Sequence, residues 1–505
     1  MRRARRRVAG AFAAACLLTL IPGPPLARSQ AAPALALPSR VRVNVASAPT
    51  SYAVISSSGT LTATAADGRV LYQGQGRTLS RTNVRRVVDL GGQELPPADH
   101  GALSPEERAD RATVLREARV AARDPTAHAL VTVPFEFGAL RDASDAVGTV
   151  ALSGDHVAAI RFATSDGLLV FNGRSFRGTL GLALDDDGGM VVVNEVSTHD
   201  YLASVVGAEM PAAWSAAALG AQAIAARTYL LTHLGRHDSY DLEGDTRDQA
   251  YDGTKSEAPS TRLAVERTAG VVATYRGAAI EALYSSNAGG VTEDSENVFA
   301  NALPYLRSVA SPGDAIAADV SWASASWQWT REMTAPQLGD YLAARGLDVG
   351  EPRSIDLLRL APSGRVVSAR VTGTGGSRDI AKDRTRYYFG LRSALFTVDF
   401  RPGGDAEYVD ASNSERLGAL EALGATRIKA AYRRAAGRNR EIGAPRILGY
   451  TFTLPGRFVF TGRGFGHGVG MSQWGAEAMG RGGATTEQIL LHYYQGIQLT
   501  AVGGG

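Results

Sequence analysis

One carboxylic acid stands apart by its surroundings. Glu209 lies between Gly207-Ala208 and Met210-Pro211, at the break between two predicted helices, with apolar side chains on both sides. An apolar setting disfavours the charged carboxylate, raises its pKa and suits it to give a proton to a leaving oxygen near neutral pH. The position has a plainer use too, because an acid ahead of a helix that starts after Pro211 meets the positive end of its dipole. Gln222 and Arg227 follow on an alanine-rich stretch, five residues apart and so not on one narrow stripe. Each either orients Glu209 or touches a ligand, or, for Arg227, satisfies loop carbonyls or pairs with an acid such as Asp245. Near the C terminus Gly462, Gly464, Gly466, Gly468 and Gly470 alternate around His467, with Gln473 just beyond. A loop with so little side-chain surface either brings backbone and one imidazole close to a ligand or packs tightly under a sheet. It lacks the two-residue gap of a dinucleotide fingerprint.

Other chemical readings carry less. Ser285-Ser286 has no Gly-x-Ser-x-Gly elbow, and Asn287 to Gly290 read as a sharp turn. His233 and His237 are four apart at a helix end and precede Asp238, Asp241, Glu243 and Asp245, but Gly235 interrupts the turn, so no metal is expected. Asp248 and Glu293 could serve as a second carboxylate, yet both sit beside turn residues where acids are ordinary.

The elements that position these groups follow from patterning. Val41, Val43 and Val45 alternate in a β segment, and residues 31–95 read as a small N-terminal β module. Ser104-Pro105-Glu106-Glu107 opens a charged helix within residues 96–130. A core is expected over 131–310. In it Leu180, Leu182 and Leu184 form one arm of a hairpin with Met190, Val192 and Asn194, followed by helices from Ser197 to Val206 and from Ser215 to about Leu234. Strands are expected at Gly270–Tyr275 and Ile280–Tyr284. Residues 311–445 read as an inserted second lobe, with a helix capped at Thr334, strands near 355–372 and a basic helix near 414–436. Residues 446–505 return to the core through Phe458–Phe460, the glycine loop and a last helix capped at Thr485. The fold class is α+β.

Composition sets the limits. Of 505 residues, 45% are apolar and 20% charged, which excludes a disordered, collagenous or multi-span chain. Arg2, Arg3, Arg5, Arg6, Arg7 and Arg28 lie in a leader without acids, so without these six the formal charge of +3 becomes −3 and no nucleic-acid footprint remains. The arginines, the apolar run Val8–Ile21 and the small residues near Ala31 read as a signal peptide over residues 1–30, with cleavage between about Ala27 and Ala32. The run is shorter than the roughly 20 residues of a bilayer span, so no stable membrane span is expected after cleavage. Cys16 is the only cysteine, so a mature chain has no disulfide and no thiolate metal site.

Several blocks together carry a family resemblance. Tyr201 to Trp214 (YLASVVGAEMPAAW), Ala221 to Leu231 (AQAIAARTYLL), Asp248 to Gly253, Thr268-Ala269-Gly270, AIEALYSSNAGGVTE, Pro304-Tyr305-Leu306 and GRGFGHGVGMSQWGA resemble the SpoIID/LytB family, in the same order. The resemblance implies a secreted or envelope-located lytic transglycosylase acting on peptidoglycan glycan strands, with Glu209 of the EMP motif as catalytic acid and no cofactor. It implies glycan contacts from Gln222, Arg227, Gln249, Tyr251, Ser285, Ser286, His467 and Gln473. Some relatives carry a zinc site of histidine and cysteine near His233, which this chain cannot reproduce. Trp327 and Trp329, on one face of a predicted strand, could stack on sugars or pack the lobe. Family members also named as amidase enhancers imply the alternative of a non-catalytic glycan binder with a cell-wall amidase as partner.

Overall fold

The computed structural model describes residues 35–505 except 47–51, 75–76, 83–86, 89–93, 96–133, 141–148, 152–159, 185–189, 238, 404, 407–451, 454 and 505. The leader with Cys16, the charged helix from Ser104 and the basic helix near 414–436 lie outside the described residues. Among the described residues no helix is long and apolar enough to cross a membrane.

Helices and sheets combine in an α+β fold. A seven-stranded sheet has the order Leu242–Glu243, Arg40–Asn44, Met190–Ser197, Thr179–Leu184, Ile160–Thr164, Leu61–Ala65, Val70–Gly74. The expected hairpin forms its centre, with Leu182 opposite Val192. The strands expected to make a separate N-terminal module are instead threaded through the sheets: Val41 and Val43 pair with Val196 and Asn194, and Leu61–Ala65 pairs with Ile160–Thr164. The reason is burial. Val41 and Val43 are fully buried in one cluster with Leu180, Leu182 and Val192, a face that a few short strands cannot cover alone.

Strand Met190–Ser197 runs directly into helix Thr198–Glu209, whose N-cap Ser197 accepts the Asp200 N–H. Met210 is extended, and helix Ala216–His233 begins after N-cap Ser215. That helix is buried on every side, and its small residues permit it. At Gly220 a Cβ would lie 2.6 Å from the Thr486 hydroxyl, so helix Thr486–Tyr493 packs directly on the backbone. The expected strand Ile280–Tyr284 is reduced to Tyr284–Ser285, which pairs in parallel with Met471–Ser472; Ile280 and Ala282 are buried without a ladder.

A second hydrophobic core gathers Trp329, Leu338, Val366, Phe389, Phe396, Phe458 and Phe460. Strand Arg457–Arg463, read from sequence as part of the core, is the middle strand between Gln328–Thr334 and Phe396–Arg401 and belongs to this lobe. Trp327 and Trp329 do not share a strand face. Trp327 ends the short helix Ser324–Trp327, and Trp329 is buried with its indole N–H on the Gly464 carbonyl at 2.9 Å.

Candidate active site

Glu209 is the last residue of its helix, partly exposed, and its carboxylate is met by donors from two separate segments. The Ala250 N–H reaches Oε1 at 3.0 Å and the Gln473 amide reaches Oε2 at 3.1 Å, with the Tyr284 hydroxyl beside the carboxyl. Burial pushes the carboxyl above its ordinary value, and these three polar neighbours oppose this without reversing it. A proton is therefore held at Glu209 to higher pH than on a free glutamate.

Behind these donors lies a buried polar chain. The Tyr201 hydroxyl donates to Gln249 Oε1 at 2.9 Å, and Gln249 Nε2 donates to the Tyr284 hydroxyl at 2.9 Å. Gln249 is thus one step removed from Glu209, aiming Tyr284. On the other side Gln473 Nε2 also reaches Gln222 Oε1 at 3.4 Å, while the buried Gln222 Nε2 has no partner. Gln222, Gln249 and Gln473 therefore gather at Glu209. Tyr284 and the Ala250 N–H complete the set and were not singled out from sequence, although both lie inside the quoted family blocks. Backbone donors leave no mark on residue type.

The glycine loop stands directly behind Tyr284. His467 accepts the Val469 N–H at Nδ1, 3.0 Å away, which leaves the proton of the neutral ring on Nε2, and the ring lies beside the Tyr284 backbone. Burial, with Arg386 and Arg365 nearby, lowers its pKa to about 4, so it is neutral at pH 7. At Gly466, φ +108, a Cβ would lie 2.8 Å from Ser285 Cβ, so the loop's tight approach needs glycine there. Ser285 is buried with an unpartnered hydroxyl, and Ser286 accepts the Trp474 N–H through its carbonyl.

Two predicted contacts are placed elsewhere. Arg227 is buried and donates to the Val265 and Val271 carbonyls, both at 3.1 Å, and to Thr268, so it fastens the helix Pro259–Arg267 and not the carboxyl site. Tyr251 gives its hydroxyl to Asn194 at 2.6 Å and packs against Tyr201 and Phe176. Both side chains went to core polar groups because a buried donor must find an acceptor. Neither possible second carboxylate is drawn to Glu209 by a bond. Asp248 takes the Tyr229 hydroxyl and the Glu243 N–H, and Glu293 takes Asn297, the Asp294 N–H and Ser363. His233 stacks on Tyr229 and His237 on Tyr240. A cleft of about 260 Å³ lined by Arg174, Asp245, Ala250 and Asp252 backs onto the Ala250 donor.

Known proteins resemble this chain over part of its length. The family model SpoIID, described as stage II sporulation protein, matches residues 186–275. The stage II sporulation protein D of Bacillus subtilis is 30% identical over 326 residues, 61% of this chain and 76% of that protein. The amidase enhancer of Bacillus subtilis is 28% identical over 314 residues, 59% of this chain and 40% of that protein. An uncharacterized protein of Brachyspira hyodysenteriae is 29% identical over 346 residues, 67% of this chain and 76% of its own.

Proposed function

This chain belongs to the SpoIID/LytB family, and on that premise we propose that it is an exported peptidoglycan lytic transglycosylase. Its substrate is the glycan strand, cut between muramic acid and glucosamine. The observation that supports the reading is Glu209: a carboxyl raised above its ordinary pKa, on a partly exposed residue, and held by the Ala250 N–H and the Gln473 amide. Protonated, Glu209 gives its proton to the glycosidic oxygen as the bond to the muramic anomeric carbon breaks. Ionised, it takes the proton of the muramic 6-hydroxyl while that oxygen closes onto the same carbon. One bond breaks, one forms, the proton returns to Glu209, and water is not consumed. The donors on its carboxylate stabilise the ionised form between the two steps. A hydrolase needs a second carboxylate to activate water or act as nucleophile. The tethered 6-hydroxyl replaces that requirement by its high effective concentration.

The relative named amidase enhancer motivates the second reading, a glycan binder that recruits a cell-wall amidase. Mixing the mature protein with purified glycan strands separates the two. Soluble sugars released by the protein alone support the transglycosylase. Pull-down without release, or release only when an amidase is added, contradicts it.

A further inference from the structure

The second lobe touches the site's supporting loops through one buried side chain. Arg365 comes from the turn joining strands Pro352–Leu360 and Val366–Gly373 and is only 1% exposed. Its guanidinium donates to the Val291 carbonyl at 2.8 Å and the Ala288 carbonyl at 2.5 Å. It also fills the space beside Gly468, where a Cβ would lie 2.2 Å from Nη2. Among the described residues Arg365 forms no ion pair; Glu293, Asp314 and Asp383 act on it only from farther away. Burying a guanidinium on carbonyls alone is costly, and an apolar side chain would fill the lobe interface more cheaply.

What the guanidinium does is hold two segments at once. The turn Ala288–Val291 follows Tyr284, and Gly468 precedes Gln473; these segments run side by side, Tyr284 opposite Met471 and Ser285 opposite Ser472. They carry Gln473, which donates to Glu209, and Tyr284, whose hydroxyl lies beside the same carboxyl. We propose that Arg365 is a positioning residue through which the second lobe sets Tyr284 and Gln473 on the Glu209 carboxyl. The lobe is then part of the catalytic apparatus and not an appended module. This rests on the proposed role of Glu209.

The test uses the full mature chain with Arg365→Met and Arg365→Lys. Two quantities are read: kcat and KM on purified glycan strands, and the titration midpoint of Glu209 by ¹³C-carboxyl NMR, assigned with Glu209→Gln. Arg365→Met should lower kcat by about ten- to a hundredfold, as small misplacements do, with KM little changed. Its Glu209 midpoint should rise, because donors that favoured the ionised form have loosened. Arg365→Lys, which keeps the charge and part of the contact, should fall between it and wild type. If Arg365→Met does not fold, Arg365→Lys is judged by the same two readings. An unchanged midpoint with unchanged kcat in the folded variant overturns the proposal. If wild type releases no sugars and yet the midpoint moves, the transglycosylase reading fails while the positioning role stands.

Discussion

Consecutive residues, Ser472 and Gln473, each serve a carboxyl, and the two carboxyls have opposite fates. Ser472 gives its hydroxyl to Asp314 at 2.5 Å, and Asp314 also takes the Gly290 N–H at 3.0 Å. Gln473 gives its amide to Glu209. Both acids sit above their ordinary pKa for the same first cause, burial, and each accepts two hydrogen bonds that oppose it. The difference is access: Asp314 is fully buried, whereas Glu209 is partly exposed. A sealed acid can only tie loops together. An acid held in the same way but partly exposed can exchange its proton with a ligand, so a raised pKa alone does not distinguish catalysis from architecture.

The sharpest way to break this contrast is Glu209→Gln. Turnover on glycan strands should fall by at least ~10²-fold, the usual contribution of a general acid, while glycan pull-down persists. Thermal melting should not drop at pH 7. Glu209 binds its proton more tightly folded than unfolded, so its ionisation costs stability as pH rises past the ordinary glutamate value, and glutamine removes that cost. Asp314→Asn should do the reverse, losing about 3 kcal/mol in denaturant titration, because its amide N–H is sealed against the Ser472 hydroxyl and the Gly290 N–H with no solvent to turn to, whereas an amide at the partly exposed position 209 can turn outward; turnover per folded molecule should be affected far less than by Glu209→Gln. Arg227→Met should cost about 1–2 kcal/mol by leaving the Val265 and Val271 carbonyls unpaired, with KM unchanged; a raised KM would restore Arg227 to the glycan site. The smallest effect concerns pH. Activity should fall as pH rises through the Glu209 pKa, and Gln473→Leu should move that limb upward, since it removes a donor that favours the ionised form.

Much of this arrangement was legible in the sequence. Local rules placed the helix starts at Ser197 and Ser215, the caps at Thr334 and Thr485, and the hairpin around Leu182 and Val192, because capping and alternation act between near neighbours. The surroundings of Glu209 fitted a catalytic acid and a helix-start acid alike, and the family blocks tipped the reading to catalysis. What escaped was long-range: Val41 and Val43 look like an independent strand until Met190–Ser197 is seen beside them, and the choice for Arg227 between a ligand and loop carbonyls is made only where Val265 and Val271 claim it. Tyr284 escaped for another reason. Its position depends on Gln249, distant in sequence, which holds its hydroxyl, and on His467 beside its backbone.

The product of the reaction tests the central claim most directly. Purified glycan strands digested by the mature protein, then treated with borohydride and weighed by mass spectrometry, report how the anomeric carbon was captured. Internal attack by the 6-hydroxyl predicts muramic ends one water lighter than hydrolysis products and resistant to reduction. Muramic ends that are mainly reducible would contradict the account, make the protein a hydrolase and require a second acid beside Glu209.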